Sequence, residues 1–261
     1  MRLWRGLTLY VVVGALALLP ACGSDSAGAS PPSEPKLVPA EYRSPAVPKG
    51  TGAVASSDAP SSSPFRAAAA EADPIVLHES PGGPEVMRLP KMNDEGGIPF
   101  VFRVIGDADG WHRVMLPTRP NGSTAWVRSA DVTVYGVRHK VVVHLESLTV
   151  ELFDGPNLID TWPAGIGKDN YPTPTGSYYV LERWQVDPES AYGPWALGIS
   201  AHSDVLDDFG GGDGRVAIHG TNHPEYLPGK VSHGCVRLHN DQITALSDRI
   251  ELGAPVEILE R

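Results

Sequence analysis

The chain has 261 residues, 21 of them Lys or Arg and 31 Asp or Glu, for a formal net charge of −10. An acidic chain offers no basic face to neutralise phosphates, which argues against nucleic acid as a partner. Hydrophobic residues at 41% and charged residues at 20% exclude wholesale disorder, and two cysteines exclude a disulfide scaffold.

Arg2 and Arg5 precede an uncharged run from Gly6 to Ala21. Its apolar stretch of about 15 residues is short for a membrane span, which needs roughly 20, and suits the core of an export signal. The run ends in Leu19-Pro20-Ala21-Cys22-Gly23, which resembles a bacterial lipobox. The resemblance implies a signal peptide over residues 1–21, with lipidation of Cys22 and attachment to the cell membrane. A non-lipidated secretory signal and an uncleaved anchor are the alternatives. All three place the remainder in the extracytoplasmic space facing the cell wall. Residues 22–71 contain Pro31-Pro32, Pro60-Ser61-Ser62-Ser63-Pro64 and almost no apolar periodicity, so they read as a disordered tether.

From 72 to 135 the pattern is one of short strands: 74–77, 100–105, 111–116 and 125–128. Turn signals at Pro81-Gly82-Gly83, Asp109-Gly110 and Asn121-Gly122 separate them. Asp109-Gly110-Trp111 followed by Ala125-Trp126-Val127 resembles a bacterial SH3-like barrel. Trp111 and Trp126 then read as core of that barrel, or as a platform for wall glycan or peptide.

The second block, 137–261, predicts strands at 140–144, 148–152, 176–181, 195–199, 215–219 and 255–259, with a hairpin turn at Asp154-Gly155. One helix is predicted, with Asn240 as N-cap, Ile243, Leu246 and Ile250 on one face, and Gly253 as its stop. The fold class is mostly β, a small SH3-like β-barrel followed by a β-rich, sandwich-like domain with one or two short helices.

The chemistry concentrates between His219 and Arg237. If Cys22 is lipidated, Cys235 has no partner in the chain, and a lone thiol in an oxidising compartment needs a reason. A buried inert cysteine is one reading. Its surroundings, Ser232-His233-Gly234-Cys235-Val236-Arg237, favour a nucleophile instead. Gly234 permits close approach of substrate, and its amide with that of Cys235 fits an oxyanion hole. His219, at the end of a predicted strand, is the candidate base that stabilises a Cys235 thiolate. His233 sits too close along the chain to reach its neighbour's sulfur with good geometry. Zinc is the other reading of His219, His223, His233, Cys235 and His239. Gly220 and Pro224 argue against a helix that would align the first two, and no Glu stands where a metalloprotease needs it.

Ile218-His219-Gly220-Thr221-Asn222 with Ser232-His233-Gly234-Cys235-Val236-Arg237-Leu238 resembles the signature of the YkuD-type L,D-transpeptidase catalytic domain. Pro172-Thr173-Pro174-Thr175-Gly176 and Gly253-Ala254-Pro255-Val256 are similar to further family motifs, so the likeness runs from about Arg138 to Leu259. It implies a peptidoglycan cross-linking enzyme without cofactor or metal. Cys235 attacks the carbonyl before the terminal D-alanine of a tetrapeptide stem, and the thioester passes to an acceptor amine as a 3→3 cross-link. His219 is the implied base, oriented by the Gly220 carbonyl. Ser232, His233, Arg237 and Asn222 are the implied substrate contacts. An L,D-carboxypeptidase using the same thioester and a non-catalytic wall-binding lipoprotein are the competing functions.

One further expectation concerns 201–214. Its acids Asp204, Asp207 and Asp208 and its glycines have hinge composition, so it reads as a flap over the site or as an acidic surface loop.

Overall fold

A computed structural model describes residues 38–39, 63–93, 97–209 and 212–261. The export signal, Cys22 and most of the tether lie outside the described residues. Among those described there are eighteen strands and one α-helix.

β1 is the short Val38–Pro39. The next seven strands alternate tightly with turns: β2 Phe65–Ala70, β3 Ile75–His78, β4 Glu85–Leu89, β5 Val101–Ala108, β6 Trp111–Met115, β7 Thr124–Arg128 and β8 Val132–Val137. They form one antiparallel sheet in the order β4-β3-β7-β6-β5-β2-β8. β2 corrects the sequence reading, which ended the tether at residue 71. Phe65–Ala70 is instead a strand between β5 and β8. Its alanines alternate by the strand's period of two. Ala68 and Ala70 enter this sheet's core beside Ile75, Leu77, Phe102 and Val127, while Ala67 and Ala69 enter the core of the second sheet.

Trp111 and Trp126 are half-buried and belong to neither core, which corrects the reading of them as barrel core. The Trp111 ring meets His78 edge-on at 5.0 Å, and the Arg128 guanidinium lies 5.5 Å from its centroid.

The second sheet comprises β9 His139–His144, β10 Thr149–Asp154, β11 Asn157–Pro163, β12 Gly165–Gly167, β13 Gly176–Gln185, β14 Trp195–His202, β15 Arg215–His219, β16 Gly229–Ser232, β17 Val236–Arg237 and β18 Pro255–Leu259. Their order is β11-β10-β9-β18-β13-β14-β15-β17-β12-β16, with β1 paired to β13. The long β13 pairs β18 with its first four residues and β14 with the remainder. Side chains from both halves of this sheet share one core. Val141, Val150 and Ile258 come from one half, Leu197, Ile218 and Val236 from the other. Each such fully buried aliphatic side chain contributes about 1.5–3 kcal/mol.

Helix α1 (Asn240–Ser247) closes this core with Ile243 and Leu246. Its N-cap is His239 rather than the predicted Asn240, and the Gln242 side chain accepts from the His239 amide at 3.1 Å. Asn240 is released for another task at the site.

The described residues pack as a single compact unit. Arg103 bonds Glu257 across the two sheets at 3.2 Å, the Tyr135 hydroxyl donates to the Leu252 carbonyl, and Met115 packs on Tyr179 and Leu181.

Candidate active site

The parallel pairing of β15 with β17 builds the site. Ile218 lies opposite Val236 and His219 opposite Arg237. Val216, Ile218, Val236 and Leu238 point into the core. The period of two therefore turns Ala217, His219, Cys235 and Arg237 to the opposite face. Residues 16 apart in sequence thus become neighbours on one surface. No connecting helix is needed.

His219 is 3% exposed. Its Nδ1 lies 2.6 Å from the Gly220 carbonyl oxygen. A carbonyl only accepts, so Nδ1 carries the proton and Nε2 keeps its lone pair. Burial, aided by the nearby Arg237 charge and opposed by the Gly220 bond, pushes the imidazole down to about 3. The ring is neutral at physiological pH. The Tyr192 ring covers it at 4.7 Å between centroids. Asn240 Oδ1 accepts from the Thr221 amide at 2.8 Å, pinning the chain just beyond His219 to the start of α1.

Cys235 is half-buried and unpaired in any disulfide. Burial pushes its thiol up, against smaller lowering effects from a backbone hydrogen bond with Ala217 and from Arg237. His219 is not among the groups that lower it. The resting pair is a neutral thiol and a neutral imidazole, which differs from the expected imidazole-stabilised thiolate. The physical reason is desolvation, which disfavours both charged forms.

The turn before Cys235 is tied from within. Ser232 Oγ donates to the Cys235 carbonyl at 2.6 Å and accepts from the Gly234 amide at 3.1 Å. Two expectations are corrected here. Ser232 is 1% exposed and holds the turn together rather than touching substrate. The Gly234 amide is already bonded to Ser232, so it is not an open oxyanion donor. Gly234 has φ +121°, a conformation that side-chain-bearing residues rarely adopt.

Thr173 was not singled out from the sequence, although it lies in the Pro172–Thr175 turn. It is 3% exposed, and its Oγ1 donates to the Gly234 carbonyl while accepting from the Gly167 amide, both at 2.9 Å. Thr173→Val keeps the shape and removes both bonds. It is expected to cost about 1–3 kcal/mol in urea unfolding and to slow acylation of Cys235. A cavity of about 590 Å³ beyond Thr173 is lined by Leu145, Ile166, Lys168, Pro172 and Lys230 among others, but not by Cys235 or His219.

His233 is exposed, its ring flanked by Tyr171 at 4.9 Å and Phe209 at 5.3 Å. Burial lowers its pKa, with Lys168 and Arg237 adding to the effect. Asn222 is exposed and donates to the Glu189 carbonyl at 3.5 Å. Arg237 forms no ion pair among the described residues, and its Nε is buried without a partner there. In the segment 201–214, Ala201 and His202 are the end of β14, not part of a flap. The loop proper starts at Ser203 and carries Phe209 to His233. Among the described residues, no group of three or more His, Cys, Asp or Glu side chains is gathered as a metal site would require.

The model of the YkuD family, the L,D-transpeptidase catalytic domain, matches residues 138–258. The match is to this segment, a little under half of the chain. The YkuD protein of Bacillus licheniformis, named as an L,D-transpeptidase, is 29% identical over 51% of this chain and 70% of its own length. The ErfK/SrfK protein of Salmonella typhimurium, likewise named, is 31% identical over 57% of this chain and 52% of its own. The chain therefore spans only about half of that second relative. A solved L,D-transpeptidase from Mycobacterium smegmatis is 15% identical over 75% of this chain and 99% of its own, with a TM-score of 0.41. The YkuD segment contains every catalytic and substrate-contact candidate named from the sequence, Asn222 included. Cys22 lies outside both the segment and the described residues.

Proposed function

We propose that this chain is a cysteine-dependent L,D-transpeptidase that forms 3→3 cross-links in peptidoglycan. The observation that carries the reading is His219. Its proton is fixed on Nδ1, its Nε2 lone pair is open, and it shares a strand face with Cys235 inside a YkuD segment.

Attack by Cys235 Sγ on the carbonyl before the terminal D-alanine forms the C–S bond as His219 Nε2 takes the thiol proton. The C–N bond then breaks, and the leaving D-alanine amine receives that proton. An acceptor amine from a neighbouring stem attacks the thioester, releases the thiol and completes the cross-link. Arg237, which has no ion-pair partner among the described residues, takes the terminal carboxylate of the donor. Burial is the main cause of the low His219 value, and that contact offsets the smaller share that the Arg237 charge adds, so the imidazole becomes a somewhat better base when substrate is in place. Cys22 lipidation would hold the enzyme at the membrane, with the seven-stranded unit, read as SH3-like, between anchor and catalytic domain.

Intact mass spectrometry tests the reading. Incubation with a stem tetrapeptide should add the acyl group minus D-alanine to Cys235, and a carbapenem should leave a stable adduct there. Cys235→Ala should take neither. No adduct on the wild-type chain, or an equal adduct on Cys235→Ala, overturns the mechanism. Supplying an acceptor stem separates cross-linking from the carboxypeptidase alternative, which would yield only free tripeptide.

A further inference from the structure

The turn between β6 and β7 reaches out of the seven-stranded sheet and grips a loop of the YkuD segment. Its root is fixed by Met115, which packs on Tyr179 and Leu181 of β13. At its tip, the Arg119 guanidinium donates to three carbonyls of one loop: Ser203 at 2.6 Å, Leu206 at 2.8 Å and Asp213 at 3.0 Å. Asn121 completes the grip. Its amide nitrogen donates to the His202 carbonyl at 2.8 Å, and its amide oxygen accepts from the His202 N–H at 2.9 Å. It thus prolongs the pairing of β14 as another strand would. Asp204 also accepts from Asn121 at 3.3 Å, so one acid of this loop serves the grip.

The gripped loop ends at the site. Three residues beyond Leu206, the exposed Phe209 places its ring 5.3 Å from His233, whose ring also lies 4.9 Å from Tyr171. The three rings form a wall two residues from the nucleophile. One exposed phenyl ring is ordinary, but three rings gathered beside the proposed nucleophile offer a face for contact with substrate.

We propose that Arg119 is a positioning residue that acts from the first sheet, through the 203–209 backbone, to hold Phe209 against His233 as part of the donor-peptide site. Arginine suits the role for a physical reason. Its planar guanidinium presents five N–H donors in a fixed fork and stays charged, so it can bond several carbonyl oxygens simultaneously. A lysine ammonium at the same place has a single nitrogen and cannot span Ser203, Leu206 and Asp213 together.

The inference rests on the proposed function for its kinetic readout and on the backbone alone for its structural one. The test uses the full chain with Arg119→Ala, Arg119→Lys, Phe209→Ala and the Arg119→Ala/Phe209→Ala pair. Amide exchange over 203–209 should speed up in Arg119→Ala, and remain faster than wild type in Arg119→Lys. The KM for stem tetrapeptide should rise about five- to tenfold in Arg119→Ala and Phe209→Ala, with kcat within about twofold. The double variant should show no further rise in KM, since both changes remove the same contact. A merely stabilising role for Arg119 would instead give effects that multiply. Multiplying effects, an unchanged KM, or unchanged exchange in Arg119→Ala would each overturn the proposal. Should the wild-type chain fail to acylate on the peptide, the functional reading fails, and exchange over 203–209 still decides whether Arg119 holds the loop.

Discussion

Replacement of His219 by glutamine is expected to slow acylation of Cys235 by stem peptide about 10²- to 10⁴-fold, the range for loss of a positioned general base. Glutamine retains a hydrogen-bonding side chain for the buried site but has no imidazole to take the thiol proton. Alkylation by iodoacetamide should respond differently. It needs only a thiolate, and burial already holds the Cys235 thiol above the ordinary range. The alkylation rate should therefore rise at higher pH than for a free cysteine near 8.5, in wild type and His219→Gln alike. A wild-type reactive limb well below 8.5, lost in His219→Gln, would mean that the resting pair is an ion pair after all.

The same histidine sets an acid sensitivity. Its folded value of about 3 lies below the ordinary 6.5, so the unfolded chain binds the proton more readily. Its contribution to stability is complete above about pH 6.5 and is lost as pH falls toward 3, at about 1.4 kcal/mol per pH unit. His202, lowered mainly by burial, acts in the same direction. Urea midpoints measured between pH 7 and 5 should fall less in His219→Gln than in wild type. Equal slopes would count against a buried neutral imidazole.

Most of the strands were legible because each leaves a local mark, as were Cys235 and His219 as candidates for nucleophile and base. Alternation at 215–219 foretold β15. The corrections share one cause, which is that a second surface decides the residue's role. Ala67–Ala70 lacks a polar face because both faces of β2 are buried there, so a run of alanines resembled tether. Asn240 is chemically a good cap, yet tertiary packing turns it to the Thr221 amide and leaves capping to its neighbour. Ser232 has the chemistry of a substrate contact, but its hydroxyl is consumed by the turn's own backbone. Arg119 lies in a hairpin of one sheet and acts on a loop about ninety residues later. Neither periodicity nor spacing encodes that meeting.

The join between the two sheets yields the second large effect, at Gly253. This residue has φ +82°, and a Cβ placed on it would lie 2.2 Å from Ala67 Cβ and 3.4 Å from Val101 Cγ1. Its amide is bonded to the Val180 carbonyl at 2.7 Å, so the backbone is not free to retreat. Gly253→Ala therefore meets two separate costs, about 1–2 kcal/mol for a left-handed alanine and about 1–3 kcal/mol for overpacking. Together they predict a loss of about 2–5 kcal/mol in urea unfolding, a large fraction of a typical domain's stability. The costs can be told apart by adding Ala67→Gly, which removes the clashing methyl and leaves the backbone conformation unchanged. The double variant should recover the overpacking share relative to the sum of the single changes. Strict additivity would assign the whole loss to backbone strain, and the two sheets would then not be in the close contact that the Ala67–Gly253 approach requires.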